Sequence, residues 1–275
     1  DYAGANPPTG VMVTFYQKTA AKTPPKMEFL DASGHVVRTV EGTHKVSGKD
    51  EPSIDNKVGL NTYAWDFQTN GPVKWLGAAK ESYQGPKEGP AVVPGSYSVR
   101  LTDNGRAMTQ RFVVKPDPRS QFTQAEYVAS YNFGKKYFHE FSIVDTMLNT
   151  LDDVKKQLTA ASDAAKKKNA TGVASKIDDA LKTHDAIFTT LTADYHNDED
   201  SIQRPGKLRE DIQGLGYAGG GLITPAITSL GNRIDVEYKA AVARYNAYVR
   251  SLPALNAALQ QAALKPITKA TPVSP

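Results

Sequence analysis

The densest acidic run in the chain is His196-Asn197-Asp198-Glu199-Asp200, and clustered carboxylates are what a hard cation would need. The run lacks the Asp-x-Asp-x-Asp-Gly order of a calcium loop. It reads instead as a helix end leading into a helix start, where acids favour the N-terminus. The histidines are His35, His44, His139, His184 and His196. None stands in a His-x-x-x-His or His-Glu-x-x-His pair, so no zinc ligand set is visible and no metal is expected. His139, beside an apolar helical stripe, and His184, on one, read as interior or interface histidines. Gly214-Leu215-Gly216-Tyr217-Ala218-Gly219-Gly220-Gly221 matches neither a dinucleotide fingerprint nor a Walker loop, and reads as a connection between helices. No Gly-x-Ser-x-Gly elbow occurs, and Asp152-Asp153 and Asp178-Asp179 are neighbours that point in different directions on helices. The chain has no cysteine, which excludes disulfides, thiolate metal sites and cysteine nucleophiles. No catalytic residue and no cofactor follow from these patterns.

The aromatic residues offer more. Trp75 and Tyr83 lie in one long polar loop, where they can stack on a sugar ring or a protein surface, or pin the loop back onto the strands around it. They are the candidate binding residues. Trp65 alternates with Tyr63 and Phe67 and reads as core.

The elements that carry these residues fall into two halves. Pro94-Gly95-Ser96-Tyr97-Ser98-Val99-Arg100-Leu101-Thr102 alternates apolar and polar, Asn104-Gly105 supplies a tight type I′ turn, and Phe112 and Val114 continue the alternation on the return strand. Strands are expected over 11–16, 26–31, 35–40, 60–67, 97–103 and 108–114, with long surface loops at 41–59 and 68–93. From about residue 121 the period becomes 3.6. Tyr137, Phe141, Val144, Leu148, Leu151 and Leu158 form one stripe, and Val173, Ile177, Leu181, His184, Phe188, Leu191 and Tyr195 a second. Ile227, Leu230, Ile234, Tyr238, Val242, Tyr245, Val249 and Leu252 form a third, and a short helix is expected over 205–213. The fold class is therefore α+β in two units. Residues 1–118 form an antiparallel immunoglobulin- or fibronectin-like β-sandwich, residues 119–265 an antiparallel α-helical bundle, and residues 266–275 a flexible tail.

At 275 residues, with 33 basic and 29 acidic side chains, the net charge is +4, too small an excess to argue for nucleic acid. Lys166, Lys167 and Lys168 beside Asp163 read as a solvated helix end. No apolar run reaches the roughly 18 residues of a membrane span. The chain begins Asp1-Tyr2 with no signal peptide visible, which suits a processed terminus or a piece of a longer polypeptide. Absence of cysteine suits an exported bacterial protein.

Several segments together resemble a family. They are Asn6-Pro7-Pro8, the strand from Val11 to Tyr16, and Phe29-Leu30-Asp31-Ala32-Ser33-Gly34-His35-Val36-Val37-Arg38-Thr39. They continue through Gly59-Leu60-Asn61-Thr62-Tyr63-Ala64-Trp65-Asp66, Val93-Pro94-Gly95-Ser96-Tyr97, Val114-Lys115-Pro116-Asp117-Pro118-Arg119, Arg204-Pro205-Gly206-Lys207-Leu208 and Thr224-Pro225. This set resembles the region after the propeller in exported bacterial Asp-box (BNR) or sortilin-type β-propeller proteins, often labelled glycosyl-hydrolase-like. The hairpin part is also similar to the Ig-like module of flagellar hook-capping proteins. No Asp-box and no sialidase-type arginine triad occurs in the chain, so whatever catalysis the family label implies belongs to an upstream propeller. The resemblance implies a non-catalytic accessory module outside the cytoplasm, periplasmic or secreted. Its expected partner is a protein or a propeller in the same polypeptide; the alternative is a carbohydrate-binding appendage that takes a polysaccharide.

Overall fold

The computed structural model describes residues 10–46, 49–193 and 207–275. The acidic run His196–Asp200, and the Asn6-Pro7-Pro8 and Arg204-Pro205-Gly206 segments, lie outside the described residues. The chain is α+β with antiparallel sheets. It divides into two compact units, one made of Asp1–Gly71 with Glu88–Tyr131, the other of Pro72–Lys87 with Asn132–Pro275.

In the β unit, β1 (Val11–Gln17) pairs antiparallel with β6 (Gly59–Trp65). A four-stranded sheet runs in the order β10-β9-β2-β3, from β2 (Lys26–Leu30), β3 (Val36–Val40), β9 (Gly95–Asp103) and β10 (Arg106–Val114). Asn104 and Gly105 hold φ of 47° and 76°, the two positive values a type I′ turn demands, and they set the β9–β10 register. Alternation decides the inward face. Met27 and Phe29 on β2 and Val99 and Leu101 on β9 share one core with Trp65, and Val11, Val13 and Phe15 of β1 pack onto it. The Trp65 ring stacks on Phe29 at 4.3 Å, and its Nε1–H donates to the Gln68 carbonyl at 2.9 Å. The two stretches expected as surface loops contain short strands. They are β4 (Thr43–Val46) with β5 (Lys49–Pro52), and β7 (Gln68–Asn70) with β8 (Glu88–Ala91). These strands are short and polar, so the period-2 signal that marks β9 is missing from them.

The helices are α1 (Gln124–Lys167), α2 (Thr171–Leu191), α3 (Leu208–Ala218) and α4 (Pro225–Gln261). A capping box opens α1: the Thr123 N–H donates to Glu126 Oε2 at 2.7 Å, and the Glu126 N–H to Thr123 Oγ1 at 3.3 Å. α4 opens on Thr224, whose side chain accepts from the Ile227 N–H, followed by Pro225 at the first helical position. The three expected stripes meet in one core that includes Phe141, Leu148, Leu151, Ile177, Phe188, Ile234, Tyr245 and Leu252.

Two expected boundaries differ. The contact division places residues 124–131, the start of α1, with the β unit, and places Pro72–Lys87 with the helices. The tail is packed rather than loose: Ile267 is buried. Asn256 and Asn246 on α4 each bond both the N–H and the C=O of a tail residue, Ile267 at 2.7 and 2.8 Å and Val273 at 2.9 Å both ways. Asparagine offers a donor and an acceptor side by side, so an extended strand can lie along a helix with its amides paired.

Candidate functional site

The polar groups with the greatest chemical potential converge on the Pro72–Lys87 segment inside the helical unit. Trp75 is fully buried. Its Nε1–H donates to Asp152 Oδ2 at 2.6 Å, and its backbone N–H is shared between Asp145 Oδ2 at 3.0 Å and the Gln84 carbonyl at 3.1 Å. The Phe188 ring meets it edge-on at 5.7 Å. Arg209, from the first turn of α3, donates through Nε to Asp145 Oδ1 at 2.5 Å and through Nη2 to Asp145 Oδ2 and the Tyr83 carbonyl, both at 3.0 Å. Its guanidinium also lies over the Phe141 ring at 4.6 Å and the Trp75 ring at 5.5 Å. Further along the segment, the Leu76 N–H donates to Asn149 Oδ1, and Asn149 Nδ2 donates to the Lys74 carbonyl, both at 2.8 Å. Gly77 is required here, because a Cβ on it would stand 1.8 Å from Asp152 Oδ2.

Asp145 is 0% exposed and Arg209 2%. Burial pushes the Asp145 carboxyl up to about 6, against the Arg209 guanidinium and the Trp75 N–H, which favour its charged form. His184 is equally enclosed, with Nε2 donating to the Leu151 carbonyl at 2.9 Å and Nδ1 2.9 Å from Asp185 Oδ1. Trp75, Asp145, Arg209 and His184 are buried and paired. The arrangement clasps a loop onto helices.

A second cluster joins α1 to α4. Lys136 Nζ donates to Asp235 Oδ2 at 2.5 Å and lies 3.9 Å from Glu140 Oε1, while the Tyr137 hydroxyl donates to Asp235 Oδ1 at 3.1 Å. Gly231 lets the helices approach this closely, since a Cβ there would stand 2.3 Å from the Tyr137 hydroxyl. Glu140 is buried with Oε2 unpartnered, and the buried Tyr238 hydroxyl is unpartnered as well. Burial pushes the Glu140 carboxyl up to about 7; Lys136 and Lys239 pull it down and Asp235 pushes it further up.

The placement of the expected residues follows. Trp65 is core, and His184 is interior. His139 is exposed and its neighbour Glu140 is buried, because the stripe through Tyr137 and Phe141 turns residue 140 inward and residue 139 out. Trp75 has no exposed face; its loop is pinned to the helices rather than to the strands. Tyr83 is half-buried against the helical core, with Lys80 Nζ 5.5 Å over its ring. The glycine connection is a hydrogen-bonded turn: the Gly220 and Gly221 N–H groups donate to the Tyr217 and Ala218 carbonyls at 3.0 and 3.1 Å, so these amides serve α3 rather than a phosphate. Asp145 and Arg209 were not expected. Their signal was a charge in an apolar register: Asp145 lies between Phe141 and Leu148 in the first stripe, and Arg209 one turn before Ile212.

On the β unit the outward face of the β1–β6 ribbon carries no charge. The cross-strand pairs Met12↔Ala64, Thr14↔Thr62 and Tyr16↔Leu60 share it, with Tyr16 65% and Leu60 74% exposed. Among the described residues no group of three or more His, Asp or Glu side chains is placed to hold a metal, and no helix is long and apolar enough to cross a membrane. Comparison with protein-family models, with curated proteins and with solved structures gives no match.

Proposed function

We propose that this chain is a non-catalytic, extracytoplasmic accessory module that docks onto a protein, either a β-propeller in the same polypeptide or a larger assembly. In this reading the β unit is an immunoglobulin- or fibronectin-like sandwich and the helical unit an antiparallel bundle. The shared core of β1–β6 and the β10-β9-β2-β3 sheet supports the first. The observation that carries the function is the contrast between buried chemistry and a bare surface. Asp145, Arg209, Trp75 and His184 are consumed inside, while the outward β1–β6 face presents Tyr16, Leu60 and Met12 with no charge among them. Cross-linking through Lys18 and Lys57 in intact producing cells tests it. The expected result is one dominant protein partner, lost when Tyr16→Glu and Leu60→Glu are combined. Unchanged cross-links in that variant, or turnover of any substrate by the purified chain, would contradict it.

A second reading, a carbohydrate-binding appendage, is favoured by one feature. A shallow depression of about 600 Å³ on the β unit is lined by Tyr97, Phe112, Asp31, Arg111, Ser96 and Ser98. Retention on polysaccharide affinity gels, weakened by Tyr97→Ala, would establish it.

A further inference from the structure

We propose that the outer edge of β10 is a strand-addition site for an extended, acidic segment of the partner protein. The inference deepens the interaction-module reading and rests on it. Its first support is the register of the β9–β10 hairpin. A two-residue type I′ turn makes Asp103↔Arg106 the first hydrogen-bonded pair, and the pairs then alternate along the ladder. Arg106, Met108, Gln110, Phe112 and Val114 therefore bond to β9. The N–H and C=O groups of Ala107, Thr109, Arg111 and Val113 point the other way, and among the described residues no strand pairs with them.

Edge strands are ordinarily protected by shortness, proline, a bulge or charged side chains, and β10 has only the last of these. β10 is nine residues long, contains neither proline nor glycine, and pairs with β9 without a register shift. Residues 106–111 are all exposed. Its charges are Arg106 and Arg111, with Lys115 just beyond, and no acidic residue occurs between Asp103 and Asp117. Neither arginine has an ion-pair partner among the described residues. Such an edge repels its own copy and attracts a strand of opposite charge.

The surroundings of the edge define what the guest strand carries. Arg111 and Val113 share a face with their cross-strand partners Ser98 and Ser96, and these four residues border the 600 Å³ depression. Met108, 55% exposed, lies on the opposite face. A guest laid along β10 therefore sets alternate side chains beside Arg111, where carboxylates fit, and the others beside Met108, where apolar groups fit. Main-chain pairing supplies the affinity and Arg106 and Arg111 the selectivity.

The test titrates the whole chain, ¹⁵N-labelled, with the capped peptide Val-Glu-Val-Glu-Val-Glu-Val. The expected amide shifts concentrate at Ala107, Thr109, Arg111 and Val113. Binding falls at least tenfold for the lysine analogue and for Arg111→Glu, and is lost for a peptide N-methylated at alternate residues. Thr109→Pro, which removes an outward N–H and no bond to β9, abolishes binding too; the N-methyl peptide decides the point if that variant misfolds. Absence of shifts at millimolar peptide, equal binding of the lysine analogue, or binding that survives N-methylation would overturn the proposal. So would a dimer dissolved by Thr109→Pro, which makes a second copy the occupant. Retention of polygalacturonate by the Thr109→Pro variant would equally overturn it in favour of the glycan reading. Failure of the module reading is seen separately, as turnover by the purified chain or absence of cross-links in cells.

Discussion

Asp145 and Glu140 sit on successive turns of α1, and both are buried, yet they are met very differently. Asp145 receives a two-pronged Arg209 and the Trp75 N–H, so both its oxygens are paired. Glu140 has one oxygen 3.9 Å from a lysine and the other unpartnered. A fully paired buried charge holds a structure in one arrangement, whereas a half-paired one leaves part of its burial cost uncompensated. The helical unit thus contains a fully paired clasp at Asp145 and a half-paired seam at Glu140; burial raises both carboxyls, to about 6 and about 7, so both couple stability to pH and Glu140 does so at the higher pH.

The largest expected effect breaks the clasp. Arg209→Met leaves the Asp145 carboxyl buried without its cation and should cost about 3–5 kcal/mol in urea unfolding at pH 7. A cost near zero would mean that the pair contributes nothing beyond an apolar isostere. Next is Trp75→Phe, which keeps a ring in place but removes the indole N–H that donates to Asp152 Oδ2, at about 1–3 kcal/mol in the same measurement.

Glu140→Gln addresses the seam. The folded-state carboxyl is raised to about 7 from an ordinary value of 4.5, so between those values the folded form binds the extra proton. Stability should rise as pH falls from about 8 toward 4.5. The burial penalty is fully present above pH 7. The variant should be more stable than the parent at pH 8, by about 1 kcal/mol, with a flatter profile through this window. A parallel profile in the two proteins would show that Glu140 does not govern the dependence.

The β9–β10 hairpin and the helical stripes were legible because their signals are local. Alternation from Tyr97 to Leu101, Asn104-Gly105, and the 3.6 period through Phe141 and Leu148 each lie within one segment. What escaped reading depends on distant partners. Nothing near Trp75 announces that its indole meets Asp152, or that Arg209, far later in the chain, will close over Asp145 and the Tyr83 carbonyl. The same holds for the tail, whose Pro, Thr and Lys composition suggests looseness until Asn246 and Asn256 are seen bonding its backbone. Arg209 and Asp145 left one signal that went unread, a charge in an apolar register, and it does not say which partner each finds.

Hydrogen exchange of the two tryptophan indole N–H protons in the intact chain, assigned with Trp65→Phe, tests most directly whether the Pro72–Lys87 segment is a built-in part of the helical unit. The Trp75 indole proton should exchange only through unfolding, as slowly as the amides around Leu148 and Leu151. Rapid exchange at Trp75 while those amides stay protected would contradict the account, and would return Trp75 and Tyr83 to the surface as binding residues.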